Sequence, residues 1–392
     1  MTNDGKFQGT VYSSLCTGPA LISLSEEVLV FEDAGWYHAI PFSGIDAFYV
    51  QNYKLIVVAG QERVEIAQMG RDTDVLYAKL WDSYNARTLK AFFVSGQPMF
   101  ETQGEYAYSD DGGAAQGIAK ISLFDNCLCL LPPCSDARRI PLCFMSKPVI
   151  ERFMITMTLD TGETYQVMRL GSHTQRLFEL ICDNIQRIRE NAVAAVKRLD
   201  GTLSESGAAQ LARLMPDGAA AQLDRLYGIA PSFVSACQRE ISNSRAADTF
   251  MYFREICGPD ELYAGIKTDL SRTDAEAAIW VVAIKTAKGI GTAAVELALS
   301  EESAAATYLY RFSGDKDAFF MKLNHAMEAI SFHREVISLP ERELSHKDND
   351  LYAMAVKRTG SLRFLRKCFN GRAIHRTPES WQSTISEKLS GA

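Results

Sequence analysis

The sequence predicts an α+β fold: two tandem antiparallel β-barrels, each closed by a C-terminal helix, then a helical segment and a C-terminal α+β region. Three observations predict it. One order of motifs occurs twice. Partly alternating apolar runs, punctuated by Gly, Asp and Ser, fill most of residues 1–200. Ala-rich helical periodicity takes over at residue 201, and strand-like runs return near residue 275.

The repeat comes first because a missed repeat misassigns the whole fold. Ile22-Ser23-Leu24 matches Ile121-Ser122-Leu123, Ile40-Pro41 matches Ile140-Pro141, and Gly70 matches Gly171. The register drifts by two residues across the unit, as short loop insertions produce. Each copy ends in a helical stripe: Leu76, Tyr77, Leu80, Trp81 and Tyr84 in the first, Leu177, Phe178, Ile181, Cys182 and Ile185 in the second. That spacing is one face of an α-helix.

Residues 1–98 form the first unit, with strands near 19–24, 27–32, 36–42, 45–51, 53–58 and 63–69 and a turn at 59–62. Asp72 is the expected N-cap of its helix. Residues 99–200 repeat the plan, and Gly104 parallels Gly9. Ser172 with Gln175 predicts a capping box, and the second helix should run to Leu199 as a spacer. Residues 201–270 read as a helical module or linker of four short helices. Residues 271–392 read as an α+β domain with a three-stranded meander, turns at AKGIG and SEES, and a basic C-terminal segment. Asp315, Asp317, Phe319, Phe320, Lys322 and Leu323 echo Asp72, Asp74, Leu76, Tyr77, Lys79 and Leu80. The echo raises a degenerate third copy of the unit, with a separate α+β domain as the alternative.

The chain has 392 residues, 47% hydrophobic and 23% charged, an ordinary composition for a globular protein with a sizeable core. Net charge −7 and a pI near 5.5 argue against a whole-protein footprint for nucleic acid. The start MTNDGKFQG has no apolar run of a secretory leader, and no segment has the length of a membrane span. Nine cysteines without framework spacing fit reduced thiols, so a cytoplasmic protein is expected.

Strands curling into a small antiparallel barrel, followed by one helix over its open end, resemble the pleckstrin-homology-like (PH-like) superfold, including its GRAM and bacterial PH-type relatives. The resemblance rests on the order of elements in the two copies. It implies a binding or scaffold role and no particular chemistry. Members that bind phosphoinositides carry closely spaced Lys and Arg between the first two strands, because headgroup phosphates need convergent cations. The corresponding loops here are SSLCTG and SDDGGAAQG, which lack them, so phosphoinositide binding is not expected.

The sequence carries no recognisable catalytic residues, metal site or cofactor motif. Gly289-Ile290-Gly291 lies between two strands, which reads as a hairpin turn. Cys127 and Cys129, with Cys134 and Cys143 nearby, read as core residues, because the equivalent stretch of the first copy is simply apolar. His325 and His333 are expected on one helix face without a carboxylate at ligand spacing, and His173 opens the second closing helix.

One feature stands out: Lys357, Arg358, Arg363, Arg366, Lys367, Arg372 and Arg376 form a run of cations with no Asp or Glu among them. They are the candidate binding residues for an anionic surface; the alternative is a solvated helix facing acids of the same chain. The sequence therefore favours a non-enzymatic binding or scaffold protein holding a protein or peptide partner between a closing helix and a sheet edge. The alternatives are membrane-surface recruitment through the basic segment and an enzyme with its site in residues 201–392. Positions shared by the two copies are apolar, Pro or Gly, so function is expected where the copies differ, in the loops SSLCTG and SDDGGAAQG, or in the basic segment.

Overall fold

The computed structural model describes residues 6–268, 277–298 and 306–390. It is a mixed α+β protein with three antiparallel sheets. The first holds β1 (Lys6–Tyr12), β2 (Thr17–Leu24), β3 (Val28–Asp33), β4 (Trp36–Pro41), β5 (Ala47–Gln51), β6 (Lys54–Ala59) and β7 (Glu62–Ala67) in the order β4-β3-β2-β1-β7-β6-β5, followed by α1 (Asp72–Ala91). The second holds β8 (Phe100–Asp110), β9 (Gly113–Leu123), β10 (Cys127–Leu131), β11 (Arg138–Pro141), β12 (Val149–Glu151), β13 (Met154–Thr158) and β14 (Thr164–Met168) in the order β11-β10-β9-β8-β14-β13-β12, followed by α2 (His173–Leu199).

The repetition reaches the backbone. Left-handed residues fall at matching places: Asn52 and Arg152 (φ 51° and 50°), Tyr53 and Phe153 (60° and 61°), Gln68 and Arg169 (61° and 57°), Gly70 and Gly171 (58° and 57°). The first two pairs are two-residue hairpin turns, closed by Gln51 opposite Lys54 and Glu151 opposite Met154. Two consecutive positive φ values match the twist of the flanking strands. Each unit has one core. In the first, Phe7, Ile22, Phe31, Leu55 and Val64 pack against Leu76, Leu80 and Tyr84 of α1; in the second, Ile121, Leu128, Ile155 and Val167 pack against Leu177, Ile181 and Ile185 of α2.

The helix starts differ from expectation. Asp72 is the first helical residue, and Ser172 is the N-cap with an αR backbone and no side-chain cap bond. Gln175 bonds Glu179 instead of closing a capping box. The cause is the left-handed glycine before each helix, which turns the chain so that backbone carbonyls take the first amides: Thr73 N–H to Gly70, and Thr174 N–H to Gly171. Backbone carbonyls thereby take over part of the role of a side-chain cap. Nor is α2 a free spacer. Its first half belongs to the core of the second unit, while Ala192 and Val196 enter the core of the next region.

That region contains α3 (Glu205–Leu214), α4 (Leu223–Ile229), α5 (Pro231–Ser242), α6 (Ala247–Ile256), α7 (Lys316–Ala329), α8 (Glu335–Ser338), α9 (Glu341–Leu344), α10 (Asp350–Arg358), α11 (Gly360–Cys368) and α12 (Pro378–Ser390). They flank a sheet in the order β15 (Ala221–Gln222), β16 (Leu262–Thr268), β17 (Ala277–Ala287), β18 (Ile290–Ala298), β19 (Ala306–Ser313), β20 (Phe369–Ile374). The boundary drawn at residue 270 runs through this sheet, since β16 pairs with β17. Strand alternation sends Ile279, Val281 and Ala283 to one face, against α3–α6 and α12. Trp280, Val282 and Ile284 go to the other, against α7, α8, α10 and α11. Its strand order differs from that of the two repeated units, and it carries helices on both faces. The turn expected at SEES lies outside the described residues. AKGIG is the hairpin turn, with Lys288 and Gly289 both left-handed. No helix among the described residues is long and apolar enough to cross a membrane.

Candidate peptide-binding grooves

The edge strand β5 lies beside α1 and is already paired. The Phe48 N–H donates to the Pro133 carbonyl (2.9 Å), and the Ser135 N–H donates to the Asp46 carbonyl (2.7 Å). Ala47 and Cys134 form an antiparallel bridge. From the helix side, Trp81 Nε1–H donates to the Leu131 carbonyl at 2.9 Å. The first unit thus holds Leu131–Ser135 of the second unit along its β5 edge through one antiparallel bridge. Pro132 and Pro133 have no N–H, so they end the β10 ladder after Leu131 while leaving carbonyls to accept. Leu89 of α1 and Phe92 just past its end meet Phe124, Cys127, Cys129 and Leu131 in a small core between the units, which is where the two strand cysteines lie.

A second seat on the first unit is filled by α10. This helix crosses the turn Phe42–Gly44 and packs along α1. Met354 is fully buried in the core of the first unit, with Leu351 beside it. Three polar contacts fix the helix. Arg87 pairs with Asp350 (Nε to Oδ2, 3.2 Å), the buried Arg358 donates to the Tyr84 hydroxyl, and Lys357 pairs with Asp46.

The matching seats on the second unit are different. The equivalence is set by hydrogen bonds: Ile45 N–H to Phe42 and Met145 N–H to Leu142 (both 3.2 Å), Asp46 N–H to Val58 (2.8 Å) and Ser146 N–H to Thr158 (2.9 Å). Pro148 stands where Phe48 stands, so the outward donor of the β12 edge is missing, a substitution that blunts an edge strand. In the helix seat, Asp46, Tyr84 and Arg87 become Ser146, Ile185 and Ile188, so all three polar fixings of α10 are gone. What remains is a cleft of about 660 Å³ between Leu142–Ser146, α2 and α3, floored by Leu142, Met145, Ile185 and Ala192. Its rim carries Arg189, Lys197 and Arg213 against Asp160 and Glu190. Lys197 pairs with Glu205, Asp160 with His325 (2.6 Å), and Glu190 accepts from Gln186. Arg189 and Arg213 have no ion-pair partner among the described residues.

The basic run is dispersed by the fold. Lys357 and Arg358 hold α10 in place. Arg363 donates to the carbonyls of α10, and Arg366 to Val336, Leu339 and the Glu341 carboxylate. Lys367, Arg372 and Arg376 are exposed, Arg372 near the Tyr308 ring. The two histidines expected on one helix face separate: His325 is buried on α7 and stacks on Phe144, while His333 lies past the helix end and stacks on Phe93. His173 bonds the Thr102 hydroxyl at 2.8 Å.

Two polar clusters escaped the sequence reading. Cys143, Asp217 and Glu328 bring ligand-type atoms within 4.8 Å of one another. Glu328 is already held by both Arg139 guanidinium nitrogens (2.5 and 2.6 Å) and Asp217 by Lys267 (3.0 Å), so a metal would compete with two cations. Burial alone would raise the Glu328 carboxyl; the Arg139 charge and hydrogen bonds outweigh it and hold the group below its ordinary value. In the other cluster, the buried Thr307 hydroxyl accepts from Trp381 Nε1–H (2.9 Å) and faces Glu296, while His375 Nε2 lies 3.1 Å from Glu296. A cleft of about 430 Å³ adjoins His375. The members of this cluster come from separate strands and the segment before α12, so no local spacing could have flagged them.

No protein-family model matches the chain, and no curated protein matches it.

Proposed function

We propose that the chain is a non-enzymatic binding protein built on two tandem PH-like barrels, and that the cleft beside α2 takes a protein partner. Two features support the PH-like reading: the strand order β4-β3-β2-β1-β7-β6-β5 repeated in the second unit, and the single helix that follows each. The observation that carries the function is the contrast between the units. In the first, the sheet edge and the helix seat are each filled by a segment of the same chain. In the second, the equivalent helix seat is an apolar cleft of about 660 Å³, within the ~300–1,000 Å³ of ligand pockets.

The test places a photo-cross-linking side chain at Ile188, on the cleft wall, in the full chain produced in its own cells. A polypeptide adduct is expected, lost when Ala209→Trp fills the cleft from α3. An adduct unchanged by Ala209→Trp, or the lack of any polypeptide adduct, overturns the reading.

A further inference from the structure

We infer that the partner segment is an acidic amphipathic helix, held in the α2 cleft as α10 is held by the first unit. The inference rests on the reading that this cleft takes a protein partner, and adds what the partner must look like.

The internal repeat gives the two seats one shape. Phe42, Ile45, Tyr84 and Ala91 share a core with Met354 of α10, Tyr84 accepts from Arg358 of α10, and Arg87 pairs with Asp350 of α10. The counterparts of these first-unit residues, Leu142, Met145, Ile185, Ile188 and Ala192, all line the cleft. The same backbone hydrogen bonds shape both floors. A seat that accepts a helix in one copy therefore has the same floor in the other. α10 is nine residues long, and it presents Leu351 and Met354 to its seat. A partner helix would present apolar residues at i, i+3 or i+4, and i+7.

The charges of the two seats differ. α10 is matched to an acid, a tyrosine hydroxyl and an arginine, and the second cleft has none of the three at those positions. It offers two rim arginines without ion-pair partners among the described residues, Arg189 on α2 and Arg213 on α3. They lie on the two helices that bound the cleft, so a helix between them passes both. Carboxylates flanking its apolar stripe would meet both guanidinium groups in charge-assisted, geometrically specific bonds. α10, with Lys357 and Arg358 at its C-terminal end, is the wrong ligand for this site. The second unit thereby discriminates against the helix that fills the first.

The experiment selects a phage-displayed library of helical peptides on the full chain and measures the selected peptides by fluorescence anisotropy. The expected consensus has apolar residues at i, i+3 or i+4, and i+7 with Asp or Glu beside them. The double variant Arg189→Glu/Arg213→Glu should weaken these peptides about tenfold or more and shift preference to Lys-bearing peptides. Arg189→Gln/Arg213→Gln should weaken them without the shift. Both pairs lie on exposed positions, and circular dichroism checks their folding. Acidic peptides whose affinity ignores both double variants overturn the inference. Peptides that are blocked by Ala209→Trp but carry no acids overturn it while leaving the cleft as a protein site. A library yielding nothing sensitive to Ala209→Trp overturns both. A long-chain carboxylate found on the purified chain by native mass spectrometry, and removed by Ala209→Trp, overturns the helical occupant.

Discussion

Removing the Glu328 carboxylate while leaving Arg139 in place should destabilise the junction between the second unit and α7 more than any surface change. Both side chains are 6% exposed. Arg139 makes its two strong bonds to Glu328, and its Nε finds no partner among the described residues. Glu328→Ala therefore strands a buried guanidinium, at a cost of about 3–5 kcal/mol. Unfolding entropy of about 2.1 cal/mol/K per residue gives roughly 0.8 kcal/mol/K for the whole chain, so Tm should fall by about 4–6 °C if the chain melts as one unit. Replacing both partners, Arg139→Met with Glu328→Leu, removes the charges together and should melt within about 1 kcal/mol of the original or higher. Scanning calorimetry of the three proteins decides. The reasoning fails if Glu328→Ala melts like the original, or if the double variant melts as low as Glu328→Ala. The pH dependence has a defined sign. The folded Glu328 carboxyl lies below its ordinary value of 4.5, so its contribution is fully present above that pH and is lost as pH falls through the folded value. The contribution of the pair, read as original minus double variant, should therefore be largest above pH 4.5 and shrink below it.

Trp81→Phe keeps the ring but removes the donor to Leu131, and should cost about 1 kcal/mol and speed hydrogen exchange at the Phe48 and Ser135 amides; unchanged exchange would refute the strand seam. Gly104→Ala should destabilise by about 1–3 kcal/mol, because the added methyl would sit 2.3 Å from Leu170 Cδ2 and 2.7 Å from the Met168 carbonyl. Gly9→Ala meets Met69 Cγ at 2.9 Å and should cost less, as chemical denaturation can show. Burial pushes the Cys134 thiol up to about 11, so iodoacetamide should modify it slowly near neutral pH. Trp81→Ala should speed that modification; peptide mapping after alkylation checks both.

The repeated units were legible because their signals are local and periodic. Matched apolar runs, the Ile-Pro pairs and the glycines before each helix lie in one short window each. The helix seats were legible only in part. Arg87 and Asp350 are separated by most of the chain, and no spacing rule joins them. The same holds for Arg358 and Tyr84, so the basic run read as one surface when four of its members bond groups of the same chain. The third sheet was misdivided because Leu262–Thr268 follows four helices and is short enough to pass for their linker. One signal was present and unused. Asp46 against Ser146, Phe48 against Pro148 and Arg87 against Ile188 are visible once the copies are aligned, and they mark both seats.

The Leu131–Ser135 segment held on β5 also sets an order of events during synthesis. β5 and α1 leave the ribosome before Leu131–Ser135 exists, and long before Asp350–Arg358 does. Throughout that interval the nascent first unit has an open edge and an uncovered seat for Met354, the kind of surface on which chains associate wrongly. The second unit carries its own protection at the edge, because Pro148 arrives with β12. The N-terminal copy is therefore the one whose maturation waits for the rest of the polypeptide, and a truncated transcript would leave it incomplete.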